Sequence, residues 1–302
     1  MCLYSTQITV KGLTITGGNT ETKHCYRNAK NLLEEWQKSH LPVYFGLGDH
    51  IDHSQNDQKF HGTNGLCDEL QDHFAGKEHV FIEDNEKNLK ALYDSIMQLE
   101  SKVIYVVTGA CSTIAALYEV YPDVLTKIDR IIIMGTSLYA GNITEHAEFN
   151  SWCDPKALEV VINCPAEKII YGMEPLDYNT FDQALIKRVK EHQSPFAWTL
   201  EAMYSKIFKS CCVNAHYEDF CVAYDPGVVP ALVKKDYAII QPANVDVTKE
   251  GVKKGKTVFQ FVEKSSCNMY VATWVNKPIF ENMLFDCLDN SEKKVELRTP
   301  EN

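Results

Sequence analysis

The sequence predicts an α/β protein with a mainly parallel central sheet flanked by helices. Three observations predict it. Short apolar runs recur, several of them β-branched, such as Val103-Ile104-Tyr105-Val106-Val107 and Ile131-Ile132-Ile133. Strands buried on both faces of a parallel sheet have that composition. Longer stretches with helical spacing alternate with these runs, as in strand–helix–strand units. Finally, 302 residues suffice for a sizeable core, and no low-complexity linker or repeat divides them. A single domain over 1–302 is therefore expected.

In chain order, strands are predicted at 8–16, 43–45, 79–82, 103–108, 131–134, 169–172, 237–241 and 257–262. A helix over 20–38 aligns Ala29, Leu32, Leu33 and Trp36 on one face. A second over 86–99 does the same with Leu89, Leu92, Ile96 and Leu99. A third, over 112–121, follows the fourth strand at once. Asp154-Pro155 reads as a helix opening, Asp capping and Pro at the first helical position. A helix over 277–288 turns Ile279, Met283 and Leu284 inward. The polar stretch 46–57 is a loop. In open parallel sheets ligands bind beyond the carboxyl ends of the strands, which directs attention to 16–20, 45–65, 108–112, 134–150 and the region of Asp219.

Hydrophobic residues make up 45% of the chain and charged residues 24%, ordinary for a globular protein and against general disorder. Thirty basic against forty-one acidic residues give a net charge of −11, which repels polyphosphate and excludes a nucleic-acid-coating role. Eleven scattered cysteines without a CxxC pair read as reduced thiols rather than a disulfide framework. The N-terminal segment shows no leader pattern and no apolar run reaches membrane-span length, so a cytoplasmic protein without a membrane partner is expected.

Two motifs are set aside. Gly251-Val252-Lys253-Lys254-Gly255-Lys256-Thr257 is one residue short for a phosphate loop and precedes a strand, so it reads as a basic turn. His50-Ile51-Asp52-His53 reads as a solvated loop. Three strand-end segments are more informative. Thr16-Gly17-Gly18-Asn19-Thr20 lets backbone approach a ligand and offers the Asn19 amide. Val107-Thr108-Gly109 ends a strand with its last carbonyl turned toward the site. Each of these alone is also an ordinary strand-to-helix turn. In the third segment, after Met134-Gly135, Asn142, Glu148 and Asn150 crowd a short stretch with amide and carboxylate groups suited to vicinal hydroxyls. A loop held together by its own Asn and Glu side chains fits that spacing equally well.

These residues carry a resemblance. In order, Gly18-Asn19-Thr20, Leu41-Pro42-Val43-Tyr44, the run His61-Gly62-Thr63-Asn64-Gly65-Leu66-Cys67-Asp68, Val107-Thr108-Gly109, Met134-Gly135, Gly141-Asn142, Ala147-Glu148-Phe149-Asn150 and Asp154-Pro155 resemble the inosine-uridine nucleoside hydrolase family over nearly the whole chain. The resemblance implies hydrolysis of the N-glycosidic bond of a small-molecule ribonucleoside, a calcium ion that activates water, and a homo-oligomer. Carried over by position, the Thr108 carbonyl and Asp219 become metal ligands. Asn142 and Glu148 take the 5′-hydroxyl and Asn150 the 2′-hydroxyl. Asn19 supports the metal side, and His61 lies near the base.

The chain also departs from the family. The Asp-rich first strand is missing: no Asp or Glu precedes Glu21, and the first Asp is Asp49. The catalytic base is therefore unassigned. The resemblance leaves two readings, a hydrolase lacking its first strand or a catalytically degenerate nucleoside- or ribose-binding relative. Around His216, Glu218 and Asp219 two registers are open, with Asp219 the counterpart of the metal ligand and Glu218 preceding it. Asp225-Pro226 follows after a short loop. Asp49 or Asp52 is the alternative source of a substitute ligand.

Overall fold

The computed structural model describes residues 1–48, 61–68, 70, 73–74, 76–77, 79–82, 84–210 and 220–296. Ten strands and ten helices follow in chain order: β1 (Leu13–Ile15), α1 (Thr22–Glu35), β2 (Val43–Phe45), α2 (Asn85–Met97), β3 (Val103–Val107), α3 (Ser112–Val120), β4 (Ile128–Met134), α4 (Phe149–Cys153), α5 (Pro155–Asn163), β5 (Glu167–Tyr171), α6 (Met173–Leu176), β6 (Thr180–Asp182), α7 (Gln183–Lys190), α8 (Pro195–Ser210), β7 (Phe220–Val222), α9 (Tyr224–Gly227), β8 (Ala238–Val247), β9 (Thr257–Phe261), β10 (Met269–Val275) and α10 (Lys277–Glu296). A count of elements applies to the described residues alone.

The central sheet has six strands in the order β3-β4-β5-β10-β8-β9. The first four run parallel, and β8 and β9 are antiparallel to their neighbours. The β-branched runs lie at its centre: Ile131, Ile132 and Ile133 are each at most 2% exposed. The faces are covered on one side by α2, α3 and α5, through Leu92, Leu117 and Leu158. On the other side the core includes α7, α8 and α10, through Leu185, Phe196 and Phe280. β1 and β2 pair in parallel with each other in a separate two-stranded sheet, and no backbone ladder joins them to β3.

Two expectations need correction. Residues 79–82 form no strand; Val80 and Ile82 are exposed while Phe81 stacks on Phe45 at 5.1 Å. The Phe81 ring, the contact of His79 with Asn31 at 2.7 Å and the Ile82 carbonyl, which accepts from Asn88 at 2.6 Å, anchor that segment without a ladder, and its apolar composition imitated a strand. The central strand β10 was not read from the sequence at all, and β6–β7 forms a further antiparallel pair. Among the described residues no helix is long and apolar enough to cross a membrane.

Candidate functional site

The exits of β1, β2 and β3 meet at the start of α3. Thr16 Oγ1 lies 3.2 Å from Thr113 Oγ1, which also accepts the Leu47 amide at 2.9 Å. Gly46 is required here: a Cβ would sit 2.1 Å from the Ile15 carbonyl oxygen. Beside this junction a small cavity is lined by Gly109, Cys111, Met134, Gly135, Thr136 and Asn150.

The loop leaving β4 supplies most of the polar wall. Glu148 caps α4 and is 2% exposed. Its Oε1 accepts the Asn150 amide at 2.9 Å, and its Oε2 accepts the amides of Thr136 and Ser151 at 2.8 and 3.1 Å. Burial raises its pKa, and the backbone donors oppose that shift. Asn142 Oδ1 accepts the Phe149 amide at 2.8 Å. Asn150 donates from Nδ2 to the Met134 carbonyl at 3.3 Å and reaches the Met134 sulfur at 3.4 Å. Thus Asn142 and Glu148 do serve their own loop, which was one of the two readings of that spacing. Asn150, which lines the cavity, is fixed by its bonds to Glu148 and Met134.

The remaining predicted residues distribute as follows. Thr108 lies exposed at the exit of β3. Asn19 lies in the turn after β1, where a Cβ on Gly18 would be 3.6 Å from the Phe149 ring. That turn is tied to the segment holding His61, because Thr20 Oγ1 donates to the Thr63 carbonyl at 3.3 Å and Asn28 to that of Asn64 at 2.6 Å. Burial pushes the His61 imidazole down to about 4. His50, Asp52, His53, Asp49, His216, Glu218 and Asp219 lie outside the described residues.

Asp225 was missed as a site residue. It opens the turn of α9 directly after β7. Its side chain remains exposed to solvent, and desolvation together with the Glu148 charge pushes its carboxyl up. The segment holding His61 packs on α8, where Leu66, Leu70 and Phe74 meet Ala202 and Met203, and burial raises the pKa of the neighbouring Tyr204. The available signal was Asp225-Pro226 after an apolar strand, the dipeptide that also opens α5. Nothing in the sequence relates it to Glu148, 77 positions earlier, so only the fold brings them together.

The donors in this region are oxygen atoms, the kind that calcium prefers. Among the described residues, however, no group of three or more His, Cys, Asp and Glu side chains is placed to hold a metal ion. The Thr108 carbonyl and the Asp225 carboxylate do not by themselves fit a calcium ion, which takes about six to eight oxygens.

Carboxylate and amide groups thus gather at the exits of parallel strands, the place where open α/β sheets bind ligands. Residues 1–282 match the inosine-uridine preferring nucleoside hydrolase family, and the chain belongs to that family. Relatives include an uncharacterised protein of Schizosaccharomyces pombe, 32% identical over 68% of this chain and 62% of its own length. The pyrimidine-specific ribonucleoside hydrolase RihA of Salmonella paratyphi B is 25% identical over 95% of this chain and 92% of its own. Among solved structures, a plant nucleoside hydrolase covers 95% of this chain and 92% of its own at TM-score 0.83 and 22% identity. A purine-preferring ribonucleoside hydrolase from Gardnerella vaginalis covers 97% and 93% at the same score and identity. These two structures share the fold.

Proposed function

We propose that the chain binds the ribose of a ribonucleoside at the exits of β1, β3 and β4, with N-glycosidic hydrolysis as its reaction class. The observation that supports it is the fixed pair Glu148 and Asn150. Glu148 Oε1 accepts only one backbone amide and keeps a lone pair for a sugar hydroxyl. Asn150 lines the cavity with Nδ2 occupied, which leaves Oδ1 to accept. By the family resemblance Asn142 joins Glu148 at the 5′-hydroxyl, Asn19 supports the metal side and His61 lies near the base, and acceptors around the ring would stabilise positive charge developing at the anomeric carbon. Calcium is the ion the resemblance implies. By that resemblance its ligands are the Thr108 carbonyl and Asp219, the latter outside the described residues, and no step is routed through the ion because the described donors are too few.

A second reading, a nucleoside-binding relative with little catalysis, is favoured by the lack of a three-group metal site among the described residues. Titration calorimetry with inosine, uridine, ribose and free base tests the pocket. Asn150→Ala should weaken nucleoside binding by about 1–3 kcal/mol. Equal binding by wild type and variant removes the pocket. Release of reducing sugar, with calcium and with chelator, separates the readings. Hydrolysis by this chain is expected to be very slow, and robust calcium-dependent turnover would eliminate the second reading.

A further inference from the structure

We propose that Glu174 is a positioning residue for Glu148, acting through the left-handed backbone of Thr136; the functional consequence rests on the sugar-binding reading of Glu148 above. Glu174 lies in α6, just beyond β5. Its Oε1 accepts the Tyr139 amide at 2.8 Å and shares the Ser137 hydroxyl, at 3.1 Å, with the Ala140 carbonyl at 2.5 Å. The neighbouring Met173 amide donates to the Thr136 carbonyl at 3.1 Å. The β5–α6 corner therefore grips three residues of the loop that leaves β4. Thr136 is the link: its carbonyl is held by the corner, and its amide donates to Glu148 Oε2 at 2.8 Å.

Thr136 is held at φ 75°, a region that a β-branched residue avoids. It is 1% exposed. Its Oγ1 and Glu174 Oε2 are both buried without a hydrogen-bond partner among the described residues. Both face Gly172, where a Cβ would lie 3.5 Å from the first and 3.4 Å from the second. Strain and unpaired buried oxygens oppose folding at this corner, and such conformations persist only where the surroundings impose them. Released from the corner, residue 136 would relax toward negative φ, turning its amide away from Glu148. A glycine there would adopt positive φ without help.

That difference supplies the test, a double-mutant cycle of Glu174→Ala and Thr136→Gly. Inosine and 5′-deoxyinosine are titrated calorimetrically, and thermal unfolding is followed in parallel. Glu174→Ala should cost about tenfold in inosine affinity, as expected for a disturbed bond to a charged group, and should erode the preference for inosine over its 5′-deoxy analogue. In the Thr136→Gly background the same substitution should cost less than about threefold, because the pair is coupled. Glu174→Gln keeps an acceptor for Tyr139 and Ser137 and should retain wild-type binding, which also covers failure of the alanine variant to fold. Equal losses in both backgrounds, equal losses for both nucleosides, or a loss in Glu174→Gln as large as in Glu174→Ala would overturn the proposal. If the wild type binds neither nucleoside, the sugar-binding reading fails alone. The unfolding cycle then decides: the drop in Tm caused by Glu174→Ala must shrink in the Thr136→Gly background, and an undiminished drop overturns the positioning role.

Discussion

His61 and Asp225 give the protein opposing pH dependences. His61 titrates near 4 when folded against 6.5 as its ordinary value, so between these pH values the unfolded chain binds more protons. Its contribution is full above about pH 6.5 and is lost as pH falls through 4, a difference of up to about 3 kcal/mol. Urea unfolding at pH 4.5 and 7.5 should show a smaller loss on acidification for His61→Gln than for wild type. Asp225 runs the other way. Its carboxyl rises from 3.8 to about 7, so the folded state holds the extra proton, and stability from this group falls as pH rises from 3.8 through 7. Asp225→Asn should therefore have a higher Tm than wild type at pH 8, with the gap closing toward pH 4. A gap that widens on acidification would contradict the assignment. The Glu148 and Asn150 spacing was legible in the sequence because these residues are neighbours. Asp225 was not, because its raised pKa comes from desolvation and from a charge distant along the chain.

At the scale of elements, Asp154 joins the site to the sheet cover. Its Oδ1 caps α5 by accepting the Ala157 amide at 3.0 Å, and its Oδ2 accepts the Ser112 hydroxyl at 2.7 Å at the start of α3. Asp154→Ala should cost about 1–2 kcal/mol from the cap alone. Ser112→Ala should cost less, since it leaves the cap in place, and denaturant midpoints would rank the two. The Asp-Pro signature was readable because capping is a local interaction. The segment 79–82 was misread and β10 was missed because strand pairing is not local. Whether an apolar run joins a ladder depends on the neighbour that the fold brings to it.

For the whole molecule, the unjoined β1–β2 pair is the main structural consequence. The Thr16–Thr113 contact and the Leu47 amide to Thr113 tie it to α3, and among the described residues no backbone ladder joins it to β3. Amides of Leu13–Ile15 and Val43–Phe45 should exchange faster than those of β4 and β5, whose ladders are continuous. Hydrogen exchange read by mass spectrometry should also show Thr113→Val accelerating exchange in β1 and β2 while leaving β5 unchanged. Equal protection of both sheets would show that the two-stranded pair is held as firmly as the central one.

The sequence by itself determined the alternation of elements, the parallel heart of the sheet, the cap of α5, and the family to which the chain belongs. Those properties follow from residue periodicity and from motifs contained within a few positions. The tertiary structure decided that Glu148 is locked by backbone amides, that its charge reaches Asp225, and that Thr136 is strained beside Glu174. Each of these depends on groups from different strand exits being brought within hydrogen-bond or Coulomb range, and packing sets those distances.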